Sequence, residues 1–149
     1  MNQRENLLLT LNTTVTQLLD LYKNIHNPDV MVYELWSAKD VLVHLTFWHE
    51  SFSRNVLDLA NGRKPKVLKG RFIDLNQGGV DEMRSETLES VTARFIRSHL
   101  VIQDHILNLG VIMIPYKRGS RDYSPEEHLG VVDGHINQHL RDVQKVTGR

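Results

Sequence analysis

The sequence predicts an all-α fold, a four-helix bundle, from three observations. Four segments carry apolar residues at three- and four-residue steps, three of them open on recognisable capping residues, and no segment alternates as a half-buried strand does. At 149 residues the chain is long enough for one bundle with a real core, so residues 1–149 are expected to form a single domain.

The first helix is expected from Glu5 to about Ile25, where Leu7, Leu8, Leu11, Val15, Leu18, Leu19 and Tyr22 line one face and Asn27-Pro28 ends the run. The second starts at Ser37, with Asp40 completing a capping box and Trp36 and Val41 at the staple positions. Its inward stripe reads Val41, His44, Leu45, Trp48, Phe52, Val56, and it ends near Asn61-Gly62. The third begins between Ser85 and Thr87 and is stopped by Gly110; Ser98 and His105 interrupt its apolar side. The fourth opens on Ser124 with Pro125 in the first helical position and Glu126 and Glu127 against the positive end of the dipole. Its stripe is His128, Val132, His135, Ile136, His139, Leu140, Val143.

Two connections are long. The segment from Gly62 to Arg84 suits a crossover between helices two and three, with a short helical piece over Ile73 to Met83. Gly110 to Tyr123 holds VIMIPY, too short for a helix and broken by Pro115, which suits the cover of a bundle end or a dimer contact.

Composition narrows the function. Eighteen basic side chains balance eighteen acidic ones, so no global charge draws the chain to nucleic acid or an anionic membrane. Absence of cysteine removes disulfides, thiolate ligands and thiol nucleophiles, which leaves histidines and carboxylates as metal ligands. No apolar run reaches membrane-spanning length, and the start MNQRENLLLTLNTT lacks the pattern of a secretory leader, so a cytoplasmic protein is expected.

The informative feature is a set of histidines on stripes that are otherwise apolar. His135 and His139 are four apart, hence on one helical face. His44 lies seven residues past its cap, ~10 Å along the axis, and His139 lies ~10 Å before a helix end near Val146. The three imidazoles reach one level only if helices two and four are antiparallel, which fixes an up-down-down-up order. Burying them without a shared partner would require hydrogen bonds for six ring nitrogens, whereas one divalent ion satisfies three. Zinc is the default for such a site, with nickel, copper and iron also suited to imidazole. Asp40, one turn before His44, and Asp142, three after His139, are the carboxylates spaced to orient the rings, although Asp40 has a competing use as a cap.

Other residues carry weaker signals. Trp48 suits either a pocket wall or plain core, His128 a partly exposed place at the pocket mouth, and Ser98 and His105 the same cavity from the third helix. Arg63, Lys64, Lys66, Lys69 and Arg71, with Lys117, Arg118 and Arg121, read as solvated loops unless both border one mouth, where they would attract an anionic substrate. Aromatic interleaving is too sparse for a nucleic-acid groove.

The segments WSAKDVLVHLTFWHE and GHINQHLRDV resemble the DinB-like superfamily of metal-binding four-helix bundles, over essentially the whole chain. FIDLNQGGVDEMRSETLESVTARFIRSH and PYKRGSRDYSPEEHL resemble its ClbS/DfsB branch. The resemblance implies an up-down-down-up bundle, often a homodimer, with a metal triad on His44, His135 and His139. It also implies a small-molecule substrate and either a low-molecular-weight thiol of the bacillithiol or mycothiol type or, in the branch, hydrolysis of a reactive genotoxin. The branch often has an incomplete triad; here it is complete. Two readings follow from the sequence: a metal-dependent transferase or hydrolase acting on a small electrophile, and a non-catalytic binding or protective protein without bound metal. A bundle kept for dimerisation alone is a third.

Overall fold

The computed structural model describes residues 2–148 and contains five α-helices. These are α1 (Gln3–Lys23), α2 (Ala38–Ala60), α3 (Phe72–Met83), α4 (Leu88–His105) and α5 (Pro125–Thr147), with a 3-10 turn at Ile106–Asn108. Three isolated bridges are the only β pairing among the described residues. No helix there is long and apolar enough to cross a membrane.

The ends of the helices follow from their caps. The Asn2 side chain accepts from Glu5 N at 2.8 Å, so α1 starts two residues earlier than its apolar pattern, and it stops at Lys23 rather than Ile25. Ser37 and Asp40 close both halves of a capping box on α2, and Ser124 and Glu127 do the same on α5, with Pro125 at the first position. Gly148 ends α5 in the left-handed region at φ 70°, a conformation that costs glycine nothing. α4 stops at His105, before the expected Gly110, because the chain tightens into the 3-10 turn. The helical piece expected in the long connection is a full helix, α3. It packs on α2 so closely that a Cβ at Gly79 would lie 2.6 Å from the Phe47 ring.

Polar contacts between helices give their relative senses. Arg4 meets Glu126 at 2.9 Å and Thr14 donates to Asp133 at 2.5 Å, so α1 and α5 run the same way. Arg84, just before α4, meets Asp40 at 3.4 Å, and Arg94 meets Glu50 at 2.7 Å, so α2 and α4 also run the same way. α5 opposes α2: His135 and His139 face His44, while His128, earlier in α5, stacks on Phe52, later in α2. α2 is the central element, with nearly every position from Ala38 to Val56 buried. A helix buried all round presents no single inward stripe, so its polar residues have to find partners inside the core.

The two long connections meet. Leu68 pairs with Lys117, and Arg118 N donates to Leu68 O at 2.8 Å, so the stretch before α3 is tied to the stretch before α5. Within the latter, Ile114 and Tyr123 exchange backbone hydrogen bonds of 2.6 and 2.9 Å, and Ile114 is fully buried while Val111 is exposed. The VIMIPY run thus contributes one core anchor, and Asn55 holds it by donating to Pro115 O at 3.1 Å.

Candidate metal centre

His44 comes from the second turn of α2 and His135 and His139 from α5, and all three turn Nε2 to a common point. His44 Nε2 lies 3.1 Å from His135 Nε2, and His135 Nε2 lies 3.1 Å from His139 Nε2. The three ligand atoms fall within 4.8 Å of one another. Bonds of 2.0–2.1 Å at a tetrahedral ion separate two nitrogens by about 3.3 Å, which the two 3.1 Å separations match.

Proton bookkeeping separates a ligand set from a hydrogen-bonded cluster. Tyr33 donates its hydroxyl proton to Asp142 at 2.6 Å, and the same oxygen lies 2.7 Å from His139 Nδ1. The hydroxyl therefore accepts from Nδ1–H, and neutral His139 presents a lone pair at Nε2. If His135 also presents a lone pair, its contact with His139 sets two lone pairs together; if it carries a proton on Nε2, that proton serves one neighbour and fails the other. No neutral assignment gives both 3.1 Å contacts a linear hydrogen bond, and His44 Nδ1 is buried with no partner at all. An extra proton is no remedy. Burial, then repulsion from the other two rings, holds His44 down at about 3, and burial followed by His139 holds His135 at about 4. Burial lowers His139 as well, against the opposing pull of Asp142. Three neutral imidazoles with converging lone pairs are the donor set a divalent transition metal takes.

The surrounding shell differs from the spacing-based expectation in one carboxylate and adds two aromatic rings. Asp40 does not orient His44: its oxygens accept from Ser37 N at 3.0 Å and from Arg84 at 3.4 Å, which completes the cap and an ion pair. Asp142 reaches His139 through Tyr33 rather than directly. Burial and the Asp142 carboxylate push the Tyr33 phenol well up, so it remains a proton donor. Trp36 packs on His44 with ring centroids 4.8 Å apart. Tyr33 and Trp36 sit in the short connection between α1 and α2, where periodicity gives no signal; the Trp-Ser helix start is the only hint of Trp36.

A narrow cavity of about 20 Å³, continuous with open solvent, lies beside His135. Trp48, Phe52, Tyr116 and His128 form its aromatic wall, and no carboxylate or cationic side chain lines it among the described residues. Trp48 is a wall residue anchored by its indole N–H to Asn76 Oδ1 at 2.7 Å. His128 is buried rather than partly exposed at the mouth, because it is sandwiched on Phe52 at 3.9 Å and Tyr116 at 5.3 Å between ring centroids. Its pKa falls to about 4 by burial.

Ser98 and His105 are not at this cavity. Ser98 donates to Phe95 O and faces an outer groove with Arg94 and Arg97, and His105 ends α4 half-buried. The histidine of α4 that does point inward is His99, bonded to His49 of the cavity wall.

No protein-family model and no curated protein matches the sequence. Two solved structures match the fold: the mycothiol-dependent maleylpyruvate isomerase, at TM-score 0.76, and a histidine-to-alanine mutant of the same enzyme, at 0.75. Each is 9% identical, with 96% of this chain aligned. The chain spans 61% of the length of those structures. A likeness at this identity shows the fold alone, the all-helical fold of that enzyme.

Proposed function

We propose that the chain is a metal-dependent enzyme that joins a low-molecular-weight thiol, or water, to a small electrophilic molecule. The observation that carries this reading is the convergence of three imidazole lone pairs that no proton assignment satisfies, next to an aromatic-walled cavity. His44, His135 and His139 would hold the ion, zinc or nickel by donor type. A divalent ion on three imidazoles supplies a Lewis-acidic open position that acidifies a thiol or water brought beside it.

The chain's own residues supply orientation and dryness. Asp142 and Tyr33 fix the His139 tautomer and ring direction, as second partners of metal-bound histidines do. Trp36 closes one side of His44. Trp48, Phe52 and Tyr116 favour a planar, mainly apolar substrate at His135 and exclude water from it. The cavity wall carries no carboxylate, and its bases are imidazoles, His49 and His128. The solved neighbour, a mycothiol-dependent isomerase, supports a thiol-dependent reaction. The up-down-down-up order with α3 as crossover, a single domain, and a dimer belong to the same proposal; the paired senses of α1 with α5 and α2 with α4 support the order.

A second reading is a binding protein of the ClbS/DfsB kind, favoured by the absence of a carboxylate or cationic side chain on the wall. Metal analysis of protein purified without a His-tag distinguishes them. The enzyme reading expects about one equivalent of a transition metal per chain, lost in His135→Ala. Less than about half an equivalent, unchanged by His135→Ala, supports the second reading. Thiol cofactors screened with reactive electrophiles then separate transfer, which needs added thiol, from hydrolysis, which does not.

A further inference from the structure

A second histidine pair lies outside the triad. His49 and His99 join α2 to α4, His49 Nε2 to His99 Nδ1 at 2.9 Å, and His99 Nε2 meets Asn12 Oδ1 of α1 at 2.7 Å. Both rings are buried, and His49 is clamped flat on Phe95 with centroids 4.4 Å apart. The two ends of this chain open on different spaces. His49 lines the aromatic cavity, whereas Asn12 and His99 line a groove between α1 and α4 on another side of the bundle.

The amide end sets the direction of every proton. Asn12 Oδ1 is an acceptor, so His99 carries its proton on Nε2 and presents a lone pair at Nδ1. That lone pair accepts from His49 Nε2–H, which leaves the His49 Nδ1 unprotonated. Burial keeps both rings neutral, with His99 lowered to about 4 and His49 lowered further by burial, His99 and His128. A wall whose other polar side chains include Ser51, Asn55, Tyr116, His128 and His135 thus holds a fixed acceptor in His49.

We propose that Asn12, His99 and His49 form a relay that holds His49 in one tautomer so that its Nδ1 accepts the O–H, N–H or S–H proton of the molecule bound in the cavity. The assignment rests on the reading of that cavity as the substrate site and is independent of whether the triad holds metal. His49 is the contacting residue, while His99 and Asn12 are positioning residues that act through it. The substrate class follows: a flat apolar body with one donor group, distinguished from the same body lacking the donor.

The test uses the full ¹⁵N-labelled chain, with and without zinc, and phenol and toluene as probes of equal shape. Long-range ¹H–¹⁵N spectra should show His49 and His99 protonated on Nε2 and not on Nδ1. Phenol should bind about fivefold more tightly than toluene, the worth of one hydrogen bond, and should move the His49 Nδ1 signal. His49→Phe and Asn12→Leu should erase the preference, with His49 losing its single tautomer in Asn12→Leu, and Asn12→Asp, which keeps the acceptor, should retain it. His49 protonated on Nδ1, equal affinity for the two probes, or a cavity that takes neither overturns the relay. Because the result is read with and without zinc, it fails separately from the metal reading, which zinc stoichiometry decides.

Discussion

The α2–α5 seam and the α2–α4 seam each bury histidines against one another, and they differ in whether their hydrogen bonds close. Between α2 and α4 the protons form a consistent series from His49 through His99 to Asn12. Between α2 and α5, His44, His135 and His139 converge, and one buried nitrogen has no partner. The residue type and the central helix are the same, and the α2–α4 rings are the more deeply buried, but the protons are decided by what terminates each cluster. An amide oxygen absorbs the last proton of the first seam, whereas the Tyr33–Asp142 pair turns the second seam's lone pairs inward. The first cluster closes its internal hydrogen bonds and leaves His49 Nδ1 unprotonated; the second does not close with protons alone and is a site for a cation.

Removing one triad ring should break the contrast most severely. His135→Ala is expected to lower zinc affinity by more than about 100-fold, beyond the loss typical of an orienting partner, as read by competition with a chromogenic chelator. The same substitution at His99 should leave zinc affinity unchanged, and equal losses at both positions would erase the distinction between the seams. Acid gives the next largest effect. Burial holds His128 at about 4 in the folded chain against the ordinary imidazole value of 6.5, so the folded state binds fewer protons below that value. Its contribution is complete above pH 6.5 and drains as the pH falls toward 4, on the order of 3 kcal/mol. His128→Phe should flatten the urea-unfolding midpoint across that window by a comparable amount; an unchanged slope would mean that the ring titrates normally.

Tyr33→Phe should cost about 10–100-fold in zinc affinity, because it unties His139 from Asp142 while leaving three ligands in place. An affinity equal to wild type would remove Tyr33 from the site. The smallest effect is expected at Asp40. Asp40→Ala should cost about 1 kcal/mol of folding stability through the lost cap, measured by urea unfolding, with zinc affinity unaltered. A large loss of zinc binding there would restore Asp40 as an orienting group.

Much of the frame was legible because local chemistry dictates it. The capping boxes at Ser37 and Ser124 and the apolar steps of α1 and α5 are short-range signals, and the structure keeps them. The level argument for His44, His135 and His139 used only helical rise, which survives packing, and the structure brings the three together. What periodicity missed belongs to non-local packing. α2 is buried on nearly all sides, so no single stripe could separate His49 from its neighbours. On α4 the sequence singled out Ser98 and His105, and only the partners on α1 and α2 show that the imidazole of His99 is the side chain turned inward. Tyr33 stands in a connection with no repeat, and its role depends on Asp142, more than a hundred residues away. Asp40 had two uses in the sequence, cap and orienting group, and the structure keeps the cap, with an ion pair to Arg84 added.

The indole of Trp36, 4.8 Å from the His44 ring, gives the centre a built-in optical gauge. Ultraviolet emission from this chromophore should darken when a paramagnetic ion such as copper or nickel settles among the imidazoles and stay bright with zinc. The only other tryptophan, Trp48, can be silenced by a phenylalanine, so loading can be followed in real time without any attached dye.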